Sequence, residues 1–276
     1  METILDRIMA AKRDEVALLK QSFPLDKVQA QVAARPAPLD FTGALRGPRP
    51  RSAGSSQVNV IAEVKRGSPS KGTFDWHGDA ARQGLAYQTG GAKAISVVTD
   101  GPFFQGSVEM LQTVKAAVDL PVIQKEFLLE PYQVYYARSL GADACLLIGA
   151  CLPGDLLGEM IAVAREVGIH TLVEVVDEEE LSRAIDGGAE VIGVNNRDLR
   201  TFKTDPNHTL TLLPGIGEER VAVTESGIHT REDIERMLAA GVDAFLIGEA
   251  LMIAEDPAHH LRILRGEVIG QQEAAS

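Results

Sequence analysis

Four short words punctuate this chain at nearly even intervals: GAKA (91–94), GADA (141–144), GAEV (188–191) and GVDA (241–244). Each sets a glycine at the end of a helix-length segment and directly before an aliphatic run, and they recur about every 50 residues, as repeated supersecondary units do. Eight such runs are readable, near 58–65, 92–99, 121–127, 143–149, 170–176, 190–195, 220–225 and 243–248. The four words precede the second, fourth, sixth and eighth of them. The stretches between read as helices: "DEEELSRAIDG" (177–187) and "TREDIERMLAAG" (230–241) carry acids early, apolar residues at i, i+3 and i+4, and a closing glycine. Eight strands alternating with helices predict a parallel (β/α)8 TIM barrel, with an open doubly wound sheet as the competing arrangement.

The length of 276 residues suits one such barrel. The expected organisation is a single domain over 1–276: an N-terminal helical extension and mobile loop (1–57), the barrel (58–265) and a frayed tail (266–276). Residues 2–20 predict a helix with Ile4, Ile8, Ala11, Leu18 and Leu19 on one side, a stripe that Lys12 and Glu15 interrupt. "RGPRPRSAGSSQ" (46–57) has the composition of a loop.

Charge and composition exclude several function classes. A formal net charge of −12 argues against nucleic acid or an anionic membrane as partner. The apolar runs fall well short of the roughly 18 residues that span a bilayer, and the N-terminus lacks a signal-peptide core, so a cytoplasmic protein is expected. Cys145 and Cys151 form neither a metal-ligand spacing nor a disulfide framework, and the six histidines make no ligand cluster. No metal is expected.

In a barrel of this kind the active residues belong at the C-terminal ends of the strands. "IAEVKRGSPSKG" (61–72) puts Glu63 and Lys65 on one strand face with Ile61, while Val60, Ala62 and Val64 take the other. By the same parity Lys125, Glu174, Asn195, Arg197 and Glu225 point at the barrel axis, with Ser226 just beyond. An isolated charge there costs several kcal/mol unless paired or hydrated. Three acids facing three bases describe an acid-base site with mutually tuned groups, against the alternative of an ion-pair network that merely caps the core. "TESGIHT" (224–230) and "LIGEAL" (246–251) follow the last two strands and precede helices, which points to a phosphate site built on Gly227 and Gly248. Ser68 adds a hydroxyl.

"IAEVKRGSPSKG", "QKEFLLEPYQVYYAR", "TLVEVVDEEEL", "IGVNNRDLRTF", "TESGI" and "FLIGEALM" resemble, in order, the strand-end motifs of indole-3-glycerol phosphate synthase. The resemblance implies cofactor-free ring closure of 1-(2-carboxyphenylamino)-1-deoxyribulose 5-phosphate, with loss of carbon dioxide and water, in tryptophan biosynthesis. It implies Lys125 as general acid with Glu174 as its acid-base partner, and Lys65 against the anthranilate carboxylate with Glu63 beside it. Asn195, Arg197, Glu225 and Ser226 would form the remaining polar wall, and the phosphate would sit on Gly227, Gly248 and the Glu249 N–H, near Ser68. Phe104 and Phe127 would sandwich the anthranilate ring. How proton duties divide between Lys125/Glu174 and Lys65/Glu63 stays open. Some members carry Ser in place of Glu249, so the Glu249 carboxylate is expected to turn outward, away from a phosphate it would repel. The expected partner is a small phosphorylated substrate, bound by a monomer with transient contacts to other tryptophan-pathway enzymes.

Three rivals are weaker. Phosphoribosylanthranilate isomerase, a related barrel, uses a Cys base on its first strand, whereas this strand ends in Glu63 and Lys65. A Schiff-base aldolase could use Lys125, but the accompanying motifs differ. A non-catalytic sugar-phosphate binder would need neither Lys125 nor Glu174.

Overall fold

The computed structural model describes residues 3–47, 58–69, 72–74, 79–197 and 203–267. Most of the loop expected at 46–57 and of the tail expected at 266–276 lies outside these residues. Eight parallel strands close into a barrel: β1 (Asn59–Val64), β2 (Ala94–Val98), β3 (Val122–Lys125), β4 (Ala144–Ile148), β5 (His170–Val175), β6 (Val191–Asn195), β7 (Val221–Glu225) and β8 (Ala244–Ile247). Each strand pairs with its sequence neighbours and β1 pairs with β8, so no edge is left open. The runs are aliphatic on both faces because a barrel strand packs inward on the axis and outward on the helix ring. The open-sheet alternative is excluded by closure.

The helix between β1 and β2 is α4 (Ala80–Thr89), followed around the barrel by α5 (Val108–Ala117), α6 (Pro131–Ser139), α7 (Leu156–Val167), α8 (Glu178–Asp186), α9 (Asn207–Ile216) and α10 (Arg231–Ala240). α11 (Glu249–Met252) and α12 (Pro257–Leu264) follow β8. Side chains of Asp79, Ser107, Asp177 and Thr230 each accept a backbone N–H from the first turn of the helix they precede, caps worth about 1 kcal/mol apiece. The repeat words acquire a physical reason at the other helix ends: Gly91, Gly141, Gly188 and Gly241 all have left-handed backbone, with φ between 81° and 101°. A side chain at any of them would be strained where the chain reverses from helix to strand.

The N-terminal extension comprises α1 (Ile4–Ser22), α2 (Leu25–Ala33) and α3 (Phe41–Leu45). It runs down the outside of the barrel. α2 packs on α6, where Val28 and Val16 meet Tyr132, and Arg35 donates to the Ser139 carbonyl. At the lower, N-terminal end of the barrel Asn59 donates to the Leu45 carbonyl and the Thr42 hydroxyl bonds the His170 ring. The buried face of α1 is Ile8, Lys12 and Val16, whereas Leu18 is 64% exposed. Lys12 therefore belongs to the stripe it was expected to interrupt, because carboxylates on the barrel meet it there.

Candidate active site

Glu63 on β1, Lys125 at the end of β3, Glu174 on β5 and Asn195 at the end of β6 converge at the C-terminal mouth. Lys65 lies one residue beyond β1. Two residues upstream on the same strands, Ile61, Ile123 and Leu172 form a fully buried apolar layer beneath them. The resulting cavity of about 150 Å³ is also lined by Ser68, Phe104, Phe127, Arg197, Ser226, Gly227, Gly248 and Glu249. Of the residues expected at the site, only Glu225 does not line the cavity; 1% exposed, it reaches the space through Lys125.

The ion pairs cross the barrel. Lys125 Nζ lies 2.9 Å from Glu225 Oε2 and 3.5 Å from Glu63 Oε2, and Lys65 Nζ bonds Glu63 Oε1. The expected pairing of Lys125 with Glu174 is not the hydrogen-bonded one. Glu174 Oε1 accepts from Asn195 Nδ2 at 3.0 Å, because Asn195 ends the neighbouring strand, and Glu174 acts on Lys125 through space. Asn195 Oδ1 in turn accepts from the Ser226 hydroxyl at 3.0 Å and the Arg197 N–H, which fixes which end of its amide faces Glu174.

Lys125 is shared between Glu63 and Glu225, and the two carboxyls are shifted in opposite directions. Burial alone would raise the pKa of Glu63, but Lys65 and Lys125 outweigh it and hold this carboxyl at about 2. Glu225 is pushed up to about 7, by burial first and then by the charges of Glu174 and Glu63, with Lys125 only partly compensating. Its Oε1 accepts no hydrogen bond among the described residues. Lys125 is driven above its ordinary value because Glu225, Glu63 and Glu174 together overcome its desolvation.

Two glycines make room for these carboxylates. A Cβ on Gly193 would overlap Glu225 Oε1, and one on Gly248 would overlap Glu63 Oε1. Gly248, expected as a phosphate contact, thus also has a steric reason to lack a side chain. Ser226 and Gly227 follow β7 with consecutive left-handed φ values of 65° and 78°. Asn196, buried behind them, holds this turn by donating to the Ser226 carbonyl and the Thr224 hydroxyl.

Three expectations need correction. Phe104 and Phe127 do not leave a slot for a ring between them: their centroids are 6.0 Å apart and tilted by 40°, so they contact each other and offer one shared aromatic wall. Glu249 does not turn outward; its carboxylate faces the Arg197 guanidinium at 3.7 Å, drawn there by the opposite charge. The start of α10 is occupied by its own capping box, in which the Thr230 hydroxyl accepts the Asp233 N–H and the Asp233 carboxylate accepts those of His229 and Thr230, so the stretch of that loop left facing the cavity ahead of these claimed donors is Ser226 to Ile228. The sequence reading also passed over Gly193, Asn196 and Glu126. Glu126 had a local signal in its position next to Lys125, whereas Gly193 is visible only once Glu225 is placed opposite it.

Among the described residues no group of His, Cys, Asp and Glu could hold a metal, and no helix is long and apolar enough to cross a membrane. The architecture is similar to that of thiamine phosphate pyrophosphorylase from Pyrococcus furiosus, with a TM-score of 0.57 over 78% of this chain and 98% of that one; at 19% identity the likeness concerns the fold alone. Sequence relatives are far nearer. The indole-3-glycerol phosphate synthase of Burkholderia vietnamiensis is 46% identical over 93% of this chain and 97% of its own length. That of Variovorax paradoxus is 45% identical over 96% and 99%. With the family model for indole-3-glycerol phosphate synthase matching residues 5–264, this chain belongs to the indole-3-glycerol phosphate synthase family.

Proposed function

We propose that the chain closes the indole ring of indole-3-glycerol phosphate by general acid-base catalysis centred on Lys125. The carrying observation is that Lys125 Nζ projects into the cavity while bonded to Glu225 and within 3.5 Å of Glu63. In 1-(2-carboxyphenylamino)-1-deoxyribulose 5-phosphate, the ring carbon bearing the carboxylate attacks the ribulose carbonyl. Lys125 protonates the carbonyl oxygen as the carbon–carbon bond forms, and its charge stabilises that oxygen until transfer is complete. Carbon dioxide then leaves, returning its electron pair to the ring. Loss of the new hydroxyl as water, with a proton from an ammonium and removal by a carboxylate of a proton from the methylene carbon beside the nitrogen, then completes the aromatic indole.

The two ammoniums take different places in this scheme. Lys65, on the rim with Glu63, receives the substrate carboxylate and supplies the dehydration proton, while Glu174, oriented by Asn195, takes the proton that leaves. Glu225 returns a proton to Lys125; a carboxyl titrating at about 7 exchanges protons readily at neutral pH. Arg197, Ser68 and the backbone from Ser226 to Ile228 bind the phosphate, for which Glu249 must release Arg197. Phe104 and Phe127 lie along one side of the anthranilate ring.

The test is indole fluorescence from purified protein and this substrate, with no added cofactor, beside Lys125→Met. Turnover by the wild type and a loss of roughly 10²- to 10⁴-fold in the variant is expected. Near-normal turnover in Lys125→Met overturns the general-acid role; substrate binding without indole from either protein overturns the reaction.

A further inference from the structure

Lys12 is the least exposed lysine among the described residues, at 2%, yet it belongs to the N-terminal extension rather than to the barrel. Its Nζ lies 2.9 Å from Glu126 Oε1, 3.2 Å from Asp100 Oδ2 and 2.8 Å from Glu15 Oε2. Asp100 and Glu126 stand in the loops that follow β2 and β3. Each carboxylate also grips the backbone of its own loop. Asp100 Oδ1 accepts the N–H groups of Phe103 at 2.9 Å and Phe104 at 3.1 Å. Glu126 Oε1 accepts the Phe127 N–H at 2.8 Å, and its Oε2 accepts from the Thr99 hydroxyl. The Thr99 bond already links the two loops that carry the aromatic wall of the cavity, and the one ammonium on α1 adds a tie between Asp100 and Glu126.

A buried ion cluster is a poor means of stabilising a fold, because desolvation consumes most of the Coulomb energy. What such a cluster does well is fix a geometry. Removing the ammonium would leave Asp100 and Glu126 without their shared counter-ion: the carboxylates either repel each other or, since burial already raises the pKa of Glu126, one takes up a proton, and either way the tie that holds Phe104 and Phe127 in register through Lys12 is lost. Lys12 does not itself line the cavity.

We propose that Lys12 is a positioning residue for recognition of the substrate's aromatic half, setting the Phe104–Phe127 pair through Asp100 and Glu126 from outside the barrel. The identity of that half as an anthranilate rests on the ring-closure reading; the mechanical link does not. The phosphate end, built on Ser68, Arg197 and the backbone from Ser226 to Ile228, includes none of Lys12, Asp100 and Glu126.

The experiment compares inhibition constants of two fragments, N-methylanthranilate and inorganic phosphate, alongside KM and kcat for the whole substrate, in wild type, Lys12→Met and Lys12→Arg. Thermal unfolding is followed in parallel. The expected result for Lys12→Met is a rise of tenfold or more in KM and in the anthranilate constant, with the phosphate constant unchanged within twofold, and recovery of most of the loss in Lys12→Arg. Should Lys12→Met fail to fold, Asp100→Asn, which keeps the acceptor for Phe103 and Phe104 but removes a charge facing Lys12, is expected to show the same selective loss. An equal rise for both fragments, or no change in either, overturns the proposal. A wild type that binds the aromatic fragment with this dependence on Lys12 yet forms no indole upholds the positioning role and refutes the ring-closure reading instead.

Discussion

Gly193→Ala is a perturbation whose effect on the site should far exceed its effect on the fold. Gly193 lies inside β6 with ordinary strand geometry, so alanine is conformationally allowed. The new methyl would overlap Glu225 Oε1 and stand 3.2 Å from both the Glu225 carboxyl carbon and Leu172 Cδ1. To restore a normal separation the carboxylate must retreat on the order of 1 Å. From a hydrogen bond of 2.9 Å to Lys125, that movement carries it beyond the range in which a hydrogen bond survives. A charge-assisted hydrogen bond is worth about 1.5–3 kcal/mol, which corresponds to roughly a 10- to 100-fold change in rate if its geometry matters in the transition state.

Stability should move by about 1 kcal/mol or less, since the lost flexibility of glycine in the unfolded chain offsets part of the crowding against Leu172. Steady-state indole fluorescence gives kcat and KM, and thermal unfolding gives the stability change. The decisive comparison is the same substitution on a Glu225→Ala background, where the overlapping carboxylate is gone and Gly193→Ala should cost nothing more. Full activity in Gly193→Ala, or an equal loss in both backgrounds, would show that the glycine does not act through Glu225.

Other expectations concern charge. Glu63, with a folded pKa of about 2 against 4.5 unfolded, contributes stability that is present above pH 4.5 and lost as pH falls toward 2, on the order of 3 kcal/mol by linkage. Chemical denaturation of Glu63→Gln between pH 3 and 6 should lack that slope, and an unchanged slope would refute the assignment. Glu225 has the opposite sign: its folded pKa of about 7 lies above 4.5, so stability declines as pH rises through that window, and Glu225→Gln should flatten the decline. Glu249→Ser removes the carboxylate facing Arg197 and should lower the inhibition constant of inorganic phosphate severalfold; weaker phosphate binding would mean that Glu249 positions Arg197 rather than competing with the anion.

The barrel and the mouth were legible in the sequence because both rest on local rules. Strand parity puts Glu63, Lys125, Glu174 and Asn195 inward whatever their partners, and the register of eight strands then leaves them nowhere to go but the axis. What parity cannot supply is who bonds whom. Lys125 reaches Glu225 across a separation of 100 residues, while Glu174 is claimed by Asn195 one strand away. That choice depends on side-chain reach across the barrel, which no periodicity encodes. The same holds for Phe104 and Phe127, whose aromatic character signals a wall but not their mutual tilt. Lys12 is the instructive miss. An apolar stripe broken by a charge normally means a poorer stripe; here it means a buried partner, and the partner lies in another segment altogether.

The repeat words and the residues of the cavity occupy opposite ends of the barrel, and the acids at the two ends are satisfied in different ways. Asp143 of GADA accepts the Val122 N–H at 2.8 Å, and Asp243 of GVDA accepts the Ala222 N–H at the same distance, each binding the start of the preceding strand. Asp143 further accepts from Lys115 and the Leu39 N–H, which docks the extension. A carboxylate held by backbone donors cannot change partners without unravelling a strand, so these two acids can only stabilise; the other two words carry Lys93 and Glu190 at the same position. At the other end Glu63 and Glu225 are held by lysine side chains, which can turn to a substrate oxygen at the cost of a rotamer. Exchangeable partners are what an acid-base site requires, and they need to be arranged around one substrate, not around a symmetry axis. The periodic part of this sequence is therefore its scaffold, and the residues that break the period line its cavity.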